Sequence, residues 1–253
     1  MQWLSKNLLI DLSADFRIKD PIIYKKFYKM THKSKDNIKK SIYLLPELNK
    51  KKINKFKILS CPGCYPTSLL IPIIPLLKKK AIHKKKIIID SKSGYSGAGR
   101  SVHKKFKNKN LYESVSSYGV GFHRHNSEIN QEFIKISKNI DYNFTPHLIP
   151  MFRGILSSIY IDLPKNMSAK KIFLLLQKEY KNAKFIKFAK FNQPLSTNDV
   201  INTNNCLLSV CETKNKNRII LFSAIDNLIK GGAGQAVQNM NIYFGFKENL
   251  GLI

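Results

Sequence analysis

The chain has 253 residues, a hydrophobic content of 43% and a formal net charge of +28 at pH 7. This apolar content is enough to bury a core, so a wholly disordered chain is excluded. No apolar run reaches the ~18 residues of a membrane span, and the first residues lack the pattern of a secretory signal. We therefore expect a cytoplasmic protein with no membrane partner. The four cysteines do not indicate a disulfide framework.

Lysine carries almost all of the positive charge. Nucleic-acid sites favour arginine together with aromatic residues at defined spacings. That pattern is absent, so we expect no specific nucleic-acid partner and interpret the lysines as a solvated surface. A functional polyanion-binding surface is the alternative. Only five of the 44 basic residues are arginine, and they are Arg17, Arg100, Arg124, Arg153 and Arg218.

The first part of the chain contains short apolar segments that are typical of strands buried in a parallel sheet. Strands are predicted at residues 8–12, 56–60 and 86–91, with a helix at residues 68–80. Further on, apolar and polar positions alternate in part, as in an antiparallel sheet with one solvated face. There, strands are predicted at residues 155–163, 207–211 and 219–224, with helices at residues 169–180 and 235–244. This order predicts an α/β unit joined to an α+β unit.

Cys64 is the first candidate for chemistry, because it follows Pro-Gly where a predicted strand gives way to a helix. The free amides and the dipole of a helix N-terminus lower the pKa of a thiol and can hold an oxyanion. We therefore predict a reactive thiolate at Cys64, with a buried structural cysteine as the alternative. Cys61 completes a C-x-x-C spacing, but no suitable second pair supports a metal or disulfide-exchange site.

Two histidines, His123 and His125, flank Arg124, and Glu128 and Gln131 follow them at helical spacing. A thiolate nucleophile needs an acid or base partner, and histidine is the usual one near neutral pH. In an extended segment, the two histidine side chains would share one face. No further ligand is placed to complete a metal site, so we expect none. A histidine pair of the surface or core is the alternative.

Two glycine-rich segments follow predicted strands, one at residues 93–100 and one at residues 226–239. Such loops let backbone amides approach an anion such as phosphate. The first segment contains neither a Walker A loop nor G-x-G-x-x-G. Arg100 could add a bidentate contact there, and Asn227 could hydrogen-bond an amide in the second. Plain turns and close helix packing are the alternatives.

Six segments resemble those of the N-acetyl-gamma-glutamyl-phosphate reductases, a family related to aspartate-semialdehyde dehydrogenase. No one segment is decisive, but six in the family's order make the resemblance specific, and they extend over nearly the whole chain. They are residues 11–17 (DLSADFR), 62–67 (PGCYPT), 91–100 (SKSGYSGAGR), 123–129 (HRHNSEI), 144–154 (FTPHLIPMFRG) and 226–239 (DNLIKGGAGQAVQN).

The resemblance implies NADPH-dependent reduction of N-acetylglutamyl 5-phosphate to N-acetylglutamate 5-semialdehyde and phosphate, a step of arginine biosynthesis. It implies that Cys64 is the nucleophile and forms a thioester as phosphate leaves. His125 matches the second histidine of the family motif and is favoured as the acid–base group. His123 would then orient the substrate or lie against the nicotinamide.

The resemblance also implies the groups that bind substrate and cofactor. Arginine suits bidentate anion binding at positions where lysine is not equivalent. For the phosphate and carboxylate of the substrate, the candidates are Arg100, Arg124, Arg153 and Tyr118. For NADPH, the candidates are Ser93, Gly94, Asn227 and Gly231.

The implied architecture is the remnant of a Rossmann-type parallel sheet joined to a mixed or antiparallel catalytic and dimerisation domain. We expect the first unit at residues 1–62, joined by the C-terminal helix at residues 234–253, and the second at residues 63–233. Family members begin with a βαβ unit that carries a glycine-rich dinucleotide fingerprint, and we expect this chain to lack that unit.

Two alternatives to an active arginine-pathway reductase remain open at this stage. One is a decayed pseudoenzyme that acts only as an oligomerisation module. The other is the sister reductase that acts on carrier-bound aminoadipyl phosphate in lysine biosynthesis. In each case, the resemblance implies a homo-oligomer, either a dimer or a tetramer.

Overall fold

The computed structural model describes residues 7–49, 53–101 and 113–253, without the side chains of residues 99–101. Two sheets organise this part of the chain. The smaller sheet contains β1 (Leu9–Asp11), β2 (Ser41–Tyr43) and β3 (Ile58–Ser60). The larger sheet contains β4 (Ile87–Gly94), β5 (Ser116–Ser117), β6 (Tyr142–Ile149), β7 (Ile155–Asp162), β8 (Ile186–Phe188), β9 (Cys206–Glu212) and β10 (Arg218–Ile225). The helices are α1 (Pro21–Tyr28), α2 (Pro46–Asn49), α3 (Cys64–Lys78), α4 (His125–Ile134), α5 (Ala169–Glu179) and α6 (Gly234–Phe244).

The smaller sheet is parallel, with strand order β1-β3-β2. All three residues of the central strand β3 are buried, as expected for a covered parallel strand. Helix α6 packs on this sheet, because its Ile242 and Tyr243 contact the cluster formed by Leu44, Ile53 and Leu59. The strands predicted at residues 8–12 and 56–60 are confirmed, and the last helix lies against them.

Helix α3 connects the smaller sheet to the larger one. All of its residues from 65 to 77 are buried, including Pro72 and Pro75. Each of these prolines removes one backbone hydrogen bond, and burial of the apolar side chains around the helix compensates. The helix begins at Cys64 rather than at the predicted residue 68. Pro66 is tolerated in the first turn, where its missing N–H would have no helical partner.

The larger sheet has the order β5-β6-β4-β7-β10-β9-β8. Strands β4 and β6 are parallel, with Ile87 opposite Tyr142, and β4, β7, β10 and β9 form antiparallel pairs. Strand β6 is not among the predicted strands, and Pro146 in its middle is unusual for a central strand. The structure accommodates this proline beside β5, an edge strand of only two residues.

The main core lies between the larger sheet and helices α3 and α5. Ser168 caps α5 by accepting the amide of Lys171. On the opposite face of the sheet, Tyr160 and Ile220 are half-buried and Ile88 is 43% exposed. No helix in the described part of the chain is both long enough and apolar enough to cross a membrane.

Candidate active site

Cys64 occupies the first position of α3, directly after Gly63 in an extended conformation. Gly231, from the segment that precedes α6, lies directly against it. A Cβ on Gly231 would stand 2.6 Å from the Cβ of Cys64. The thiol is therefore held between a helix N-terminus and the backbone of a second segment.

The pKa of the Cys64 thiol is shifted in the direction opposite to the prediction. Burial raises the pKa of its thiol to about 11, although the charge of Arg17 and a hydrogen bond from the backbone of Tyr65 act in the other direction. The helix N-terminus is present as predicted, but the loss of hydration outweighs it. The prediction of a lowered thiol pKa is wrong, and ionisation of Cys64 needs a nearby base.

The two histidines come together, but not through the extended segment that we predicted. His123 lies in the loop before α4, and His125 is the first residue of that helix. Nδ1 of His123 accepts the amide of His125 at 3.1 Å, and the two ring centroids are 4.7 Å apart. The start of the helix brings the rings together, because its first amide donates back to the ring two residues earlier.

His125 lies over the residue that precedes Cys64. A Cβ on Gly63 would stand 2.3 Å from Nε2 of His125. Burial, together with the charges of Arg17 and Arg124, holds the pKa of His125 well below its usual range. The imidazole is therefore neutral near pH 7, which is the form that a general base must have.

Glu128, which is fully buried, joins α4 to the backbone before α3. Its Oε2 accepts the Gly63 amide at 2.9 Å and the Tyr43 hydroxyl at 3.0 Å, and Oε1 lies 3.3 Å from Nη1 of Arg17. Arg17 in turn donates through Nε to the carbonyl of Cys61 at 2.8 Å. This ion pair therefore fixes both ends of the short segment that leads into the helix.

Replacing Glu128 with alanine should lower the free energy of unfolding by about 3–5 kcal/mol, because it leaves Arg17 buried without its partner. Urea unfolding measures this change. Glu132→Ala is a matched control on the same helix. It removes an ion pair with the 54% exposed Lys135 and should cost less than about 1 kcal/mol. Equal effects of the two substitutions would contradict the role given to Glu128.

A pocket of about 390 Å³ opens beside these groups. The ring of Tyr65 packs edge-on against both histidine rings, with centroid distances of 5.6 and 5.8 Å. Tyr118 donates its hydroxyl to that of Tyr65 at 3.2 Å. The predicted substrate residues Tyr118 and Arg124 thus line one pocket together with both histidines. The side chains and backbone that line it belong to Tyr65, Gly97, Ala98, Tyr118, Gly119, Phe122, His123, Arg124, His125 and Leu148.

The two glycine-rich segments meet at Asn227. Its Oδ1 accepts the amide of Gly154 at 2.6 Å, and its Nδ2 donates to Oγ of Ser96 at 3.0 Å. Arg153 lies 3.3 Å from the buried Asp226. These contacts fix the segment that carries Gly231 against the end of β4.

The first glycine-rich segment does not offer its leading amides to a phosphate. The amides of residues 94–96 donate to the carbonyls of Gly154, Met151 and Phe152. A Cβ on Gly94 would stand 2.5 Å from the carbonyl oxygen of Phe152. The expected role of these amides in phosphate binding is therefore wrong. Gly94 instead permits the close approach of two backbone segments.

Several predicted site residues do not line the pocket beside the histidines. Ser93 is buried and donates to the carbonyl of Gly94 at 3.0 Å. Arg153 does not line the pocket, because Asp226 and Asn202 hold its guanidinium. The side chain of Arg100 lies outside the described residues. Among the described residues, no group of three or more His, Cys, Asp or Glu side chains could hold a metal ion.

The structure adds four residues that the sequence patterns did not assign to the site: Arg17, Gly63, Tyr65 and Glu128. Two signals in the sequence could have found some of them. Arg17 is one of only five arginines and lies in a recognised segment. Glu128 follows His125 at a spacing that places both on one helical face.

Solved structures of similar fold are aspartate semialdehyde dehydrogenases. Aspartate semialdehyde dehydrogenase II of Vibrio cholerae matches with a TM-score of 0.64 and 18% identity over 84% of this chain and 70% of that chain. A probable aspartate-semialdehyde dehydrogenase of Pseudomonas aeruginosa gives a TM-score of 0.62 and 15% identity over 79% and 67%. The family model described as semialdehyde dehydrogenase, dimerisation domain, matches residues 64–227. The chain therefore belongs to the semialdehyde dehydrogenase class of proteins.

Relatives of higher identity narrow the class. The N-acetyl-gamma-glutamyl-phosphate reductase of Vesicomyosocius okutanii is 44% identical over 253 residues, which are 99% of this chain and 73% of the relative. The reductase of the same name from Geobacter metallireducens is 44% identical over 250 residues, or 96% of this chain and 71% of the relative. The chain belongs to the N-acetyl-gamma-glutamyl-phosphate reductase family, and the resemblance found in the sequence is confirmed.

Proposed function

We propose that this chain reduces N-acetylglutamyl 5-phosphate to N-acetylglutamate 5-semialdehyde, with NADPH as the reductant, in arginine biosynthesis. The observation that carries the proposal is the approach of a neutral His125 to the residue beside Cys64, since Nε2 would stand 2.3 Å from a Cβ on Gly63. A base held by a rigid helix over the residue that precedes a thiol is an arrangement that acyl transfer can use.

In the first step, Cys64 gives its thiol proton to His125 while the sulfur attacks the acyl carbon of the substrate. The carbon–sulfur bond forms and the bond from carbon to the phosphate oxygen breaks, so phosphate leaves and a thioester remains. Because burial raises the pKa of the thiol and lowers that of the imidazole, both groups begin neutral. Amides at the N-terminus of α3 stabilise the oxyanion that develops.

NADPH supplies a hydride when it is bound. The residues beside Cys64 fit the nicotinamide end of this cofactor rather than its diphosphate, because the amides of residues 94–96 already donate to protein carbonyls. We assign Asn227 to the nicotinamide, since its Nδ2 has a second proton besides the one given to Ser96. Gly231 keeps that side of Cys64 free of a side chain. We also assign Ser93 and Gly94 to the region that holds the nicotinamide.

His125 acts again when the thiohemiacetal on Cys64 collapses to the aldehyde. After the first step it holds the thiol proton, which it gives to the thioester oxygen as that carbon is reduced. It then takes this proton back from the hydroxyl oxygen, the carbon–sulfur bond breaks, and the proton returns to the sulfur that leaves. The carboxylate of Glu128 lies 3.8 Å from Nε2 of His125. We propose that it favours the protonated imidazole at this moment, while His123 orients the ring.

We assign Arg124 and Tyr118 to the anionic groups of the substrate, because both line the pocket with the histidines. Arg124 is exposed and lies 5.8 Å from the ring centroid of Tyr28, which orients its guanidinium. Arg100 and Arg153 remain proposed phosphate or carboxylate contacts. Arg153 would have to leave Asp226 or share it with the substrate.

We also propose a homo-oligomer that forms through the open face of the larger sheet. The family model that matches residues 64–227 describes a dimerisation domain. Tyr160, Ile220 and the 43% exposed Ile88 form an apolar stripe on that face, on paired strands. We place the boundary between the two units at residues 62 and 63, immediately before the residue that caps α3.

The proposed function is tested with the purified chain, N-acetylglutamate semialdehyde, phosphate and NADP, by following the absorbance of the NADPH that the reverse reaction forms. His125→Asn should lower kcat by about 10²–10⁴-fold, the usual contribution of a general acid–base group. His123→Asn should have the smaller effect, because the ring that lies over Gly63 belongs to His125.

Two outcomes would count against this assignment. Equal losses in the two histidine variants would remove the distinction between them. Absence of turnover in the unsubstituted chain would favour the pseudoenzyme, and turnover only with carrier-bound aminoadipyl semialdehyde would favour the lysine-pathway reductase.

A further inference from the structure

Lys230 and Glu47 form a buried ion pair behind the proposed active site. The two side chains are 0% and 1% exposed, and Nζ of Lys230 lies 2.5 Å from Oε1 of Glu47. Nζ also donates to Oε1 of Gln238 at 2.8 Å. Glu47 belongs to α2, beside the smaller sheet, whereas Lys230 belongs to the segment that carries Gly231. The pair therefore ties two distant parts of the chain together.

The segment held by this pair touches Cys64 directly. Lys230 immediately precedes Gly231, whose Cβ position is 2.6 Å from the Cβ of Cys64 and 3.1 Å from its Cα. No side chain can stand between them, so a shift of Gly231 by a few tenths of an ångström changes the packing on the nucleophile. Lys230 and Gly231 are adjacent in the chain, so a movement of the Lys230 side chain shifts Gly231 against Cys64.

A second connection runs from the carbonyl of Lys230 to the cap of α3. Nε2 of Gln235 donates to this carbonyl at 3.4 Å and to Oγ1 of Thr67 at 3.1 Å. Oγ1 of Thr67 donates to the carbonyl of Gly63 at 3.0 Å. The segment thus reaches Gly63 from the side opposite to Glu128.

A buried ion pair is a poor source of stability, since the loss of hydration cancels most of the attraction between the charges. Lys230 and Glu47 therefore need another reason to be buried. Their geometry offers one, because an ion pair has a narrow optimum in distance and direction, whereas an apolar contact does not. The attraction of Lys230 also keeps the pKa of Glu47 below its usual value in spite of burial.

We propose that Lys230 and Glu47 are positioning residues that hold Gly231 against Cys64 and so fix the nucleophile for reaction. This inference rests on the proposed function, in which Cys64 forms the thioester. It predicts two opposite effects when the pair is lost. The thiol becomes more accessible and better hydrated, and turnover falls because the sulfur no longer has one fixed position.

The test is the double variant K230M/E47M, made in the full chain. It replaces the pair with apolar side chains of similar length and leaves no unpaired charge. Gln238 keeps its bonds to Asn204 and Glu248, at 3.1 and 2.9 Å. The matched control is K79M/E179M, which removes a pair that is 47% and 39% exposed and makes the same change in charge.

The first measurement is the rate at which iodoacetamide alkylates Cys64, followed by mass spectrometry of its peptide. Cys211, a partly buried cysteine of β9, is the internal reference. We expect the rate at Cys64 relative to Cys211 to rise at least about fivefold in K230M/E47M and to stay within twofold in the control. The second measurement is kcat, which we expect to fall at least about tenfold with little change in KM, the result for a group that acts in the transition state.

The inference would be overturned if K230M/E47M folds and its Cys64-to-Cys211 ratio of alkylation rates stays within twofold of the ratio in the unsubstituted chain. The ion pair would then only support the fold. A parallel rise at Cys211 would do the same by indicating general loosening. If the double variant does not fold, Glu47→Gln keeps the shape of the side chain and should shift the ratio in the same direction. The alkylation ratio needs no turnover, so failure of the proposed function leaves this test intact.

Discussion

Replacing Cys64 with serine should lower the kcat of the proposed reductase by at least about 10³-fold. A serine hydroxyl at the N-terminus of α3 keeps the size of the thiol, but its proton is far harder to remove and its ester is less reactive toward hydride than a thioester. The fold should be unchanged, because Gly231 packs on Cβ and Cα of Cys64, and serine keeps both atoms. The assay is formation of NADPH from the semialdehyde, phosphate and NADP.

Cys211→Ser is the matched control for this prediction. Cys211 is also partly buried, but it lies on β9, opposite Ile220 of β10, rather than at the start of α3. We expect its kcat to stay within twofold and its melting temperature to match that of Cys64→Ser. Turnover of Cys64→Ser at the unsubstituted rate would refute the thioester mechanism. The acid–base role proposed for His125 would then lose its basis.

The fold could be predicted from the sequence where local pattern and tertiary environment agree. The strands around residues 10, 58, 159 and 221 are apolar runs between polar turns, and each one is observed. Strand β6 could not be predicted, because Pro146 removes a backbone donor and only the short neighbour β5 makes that tolerable. The early start of α3 at Cys64 depends on Gly63 as its cap, and a run of prolines hides this feature from a periodicity analysis.

The site was predictable in its residue types but not in its electrostatics. Cys64 and His125 stand in segments whose composition already indicated nucleophilic chemistry. The direction of the thiol pKa was not predictable, because it depends on how much water Gly231 and the helix exclude, and these contacts link residues far apart in sequence. The role of Glu128 depends on Arg17, more than 100 residues away, which no local pattern reveals.

The arginines illustrate the same limit. Four of the five lie in recognised segments, and three of these, Arg100, Arg124 and Arg153, were predicted to bind substrate anions. Arg17 instead serves Glu128 and the carbonyl of Cys61, and Arg153 is held by Asp226. In both cases the guanidinium contacts a buried carboxylate of the protein, which attracts it as a carboxylate of the substrate would. Residue type alone does not separate the two uses.

Gly63→Ala should lower kcat by about 10²-fold or more while costing at most about 1–2 kcal/mol of stability. The new Cβ would stand 2.3 Å from Nε2 of His125 and 2.8 Å from two carbons of its ring. The ring has to move, and Tyr65 and His123 pack around it at centroid distances of 5.8 and 4.7 Å. We expect the imidazole to rotate away from the sulfur rather than the helix to unfold.

The double variant G63A/H125N separates this steric mechanism from a general disturbance of the site. If the methyl group acts by displacing His125, it should cost little further activity once the histidine is gone, so the two effects should be strongly non-additive. Steady-state kinetics of the two single variants and the double variant give the coupling. Simple multiplication of the two losses would contradict this mechanism and would mean that Gly63 serves Cys64 through the helix cap.

Because His125 has its lowered pKa only while buried in this position, its pKa should also rise in Gly63→Ala. A titration of the histidine C2 protons by NMR would detect that rise without any turnover.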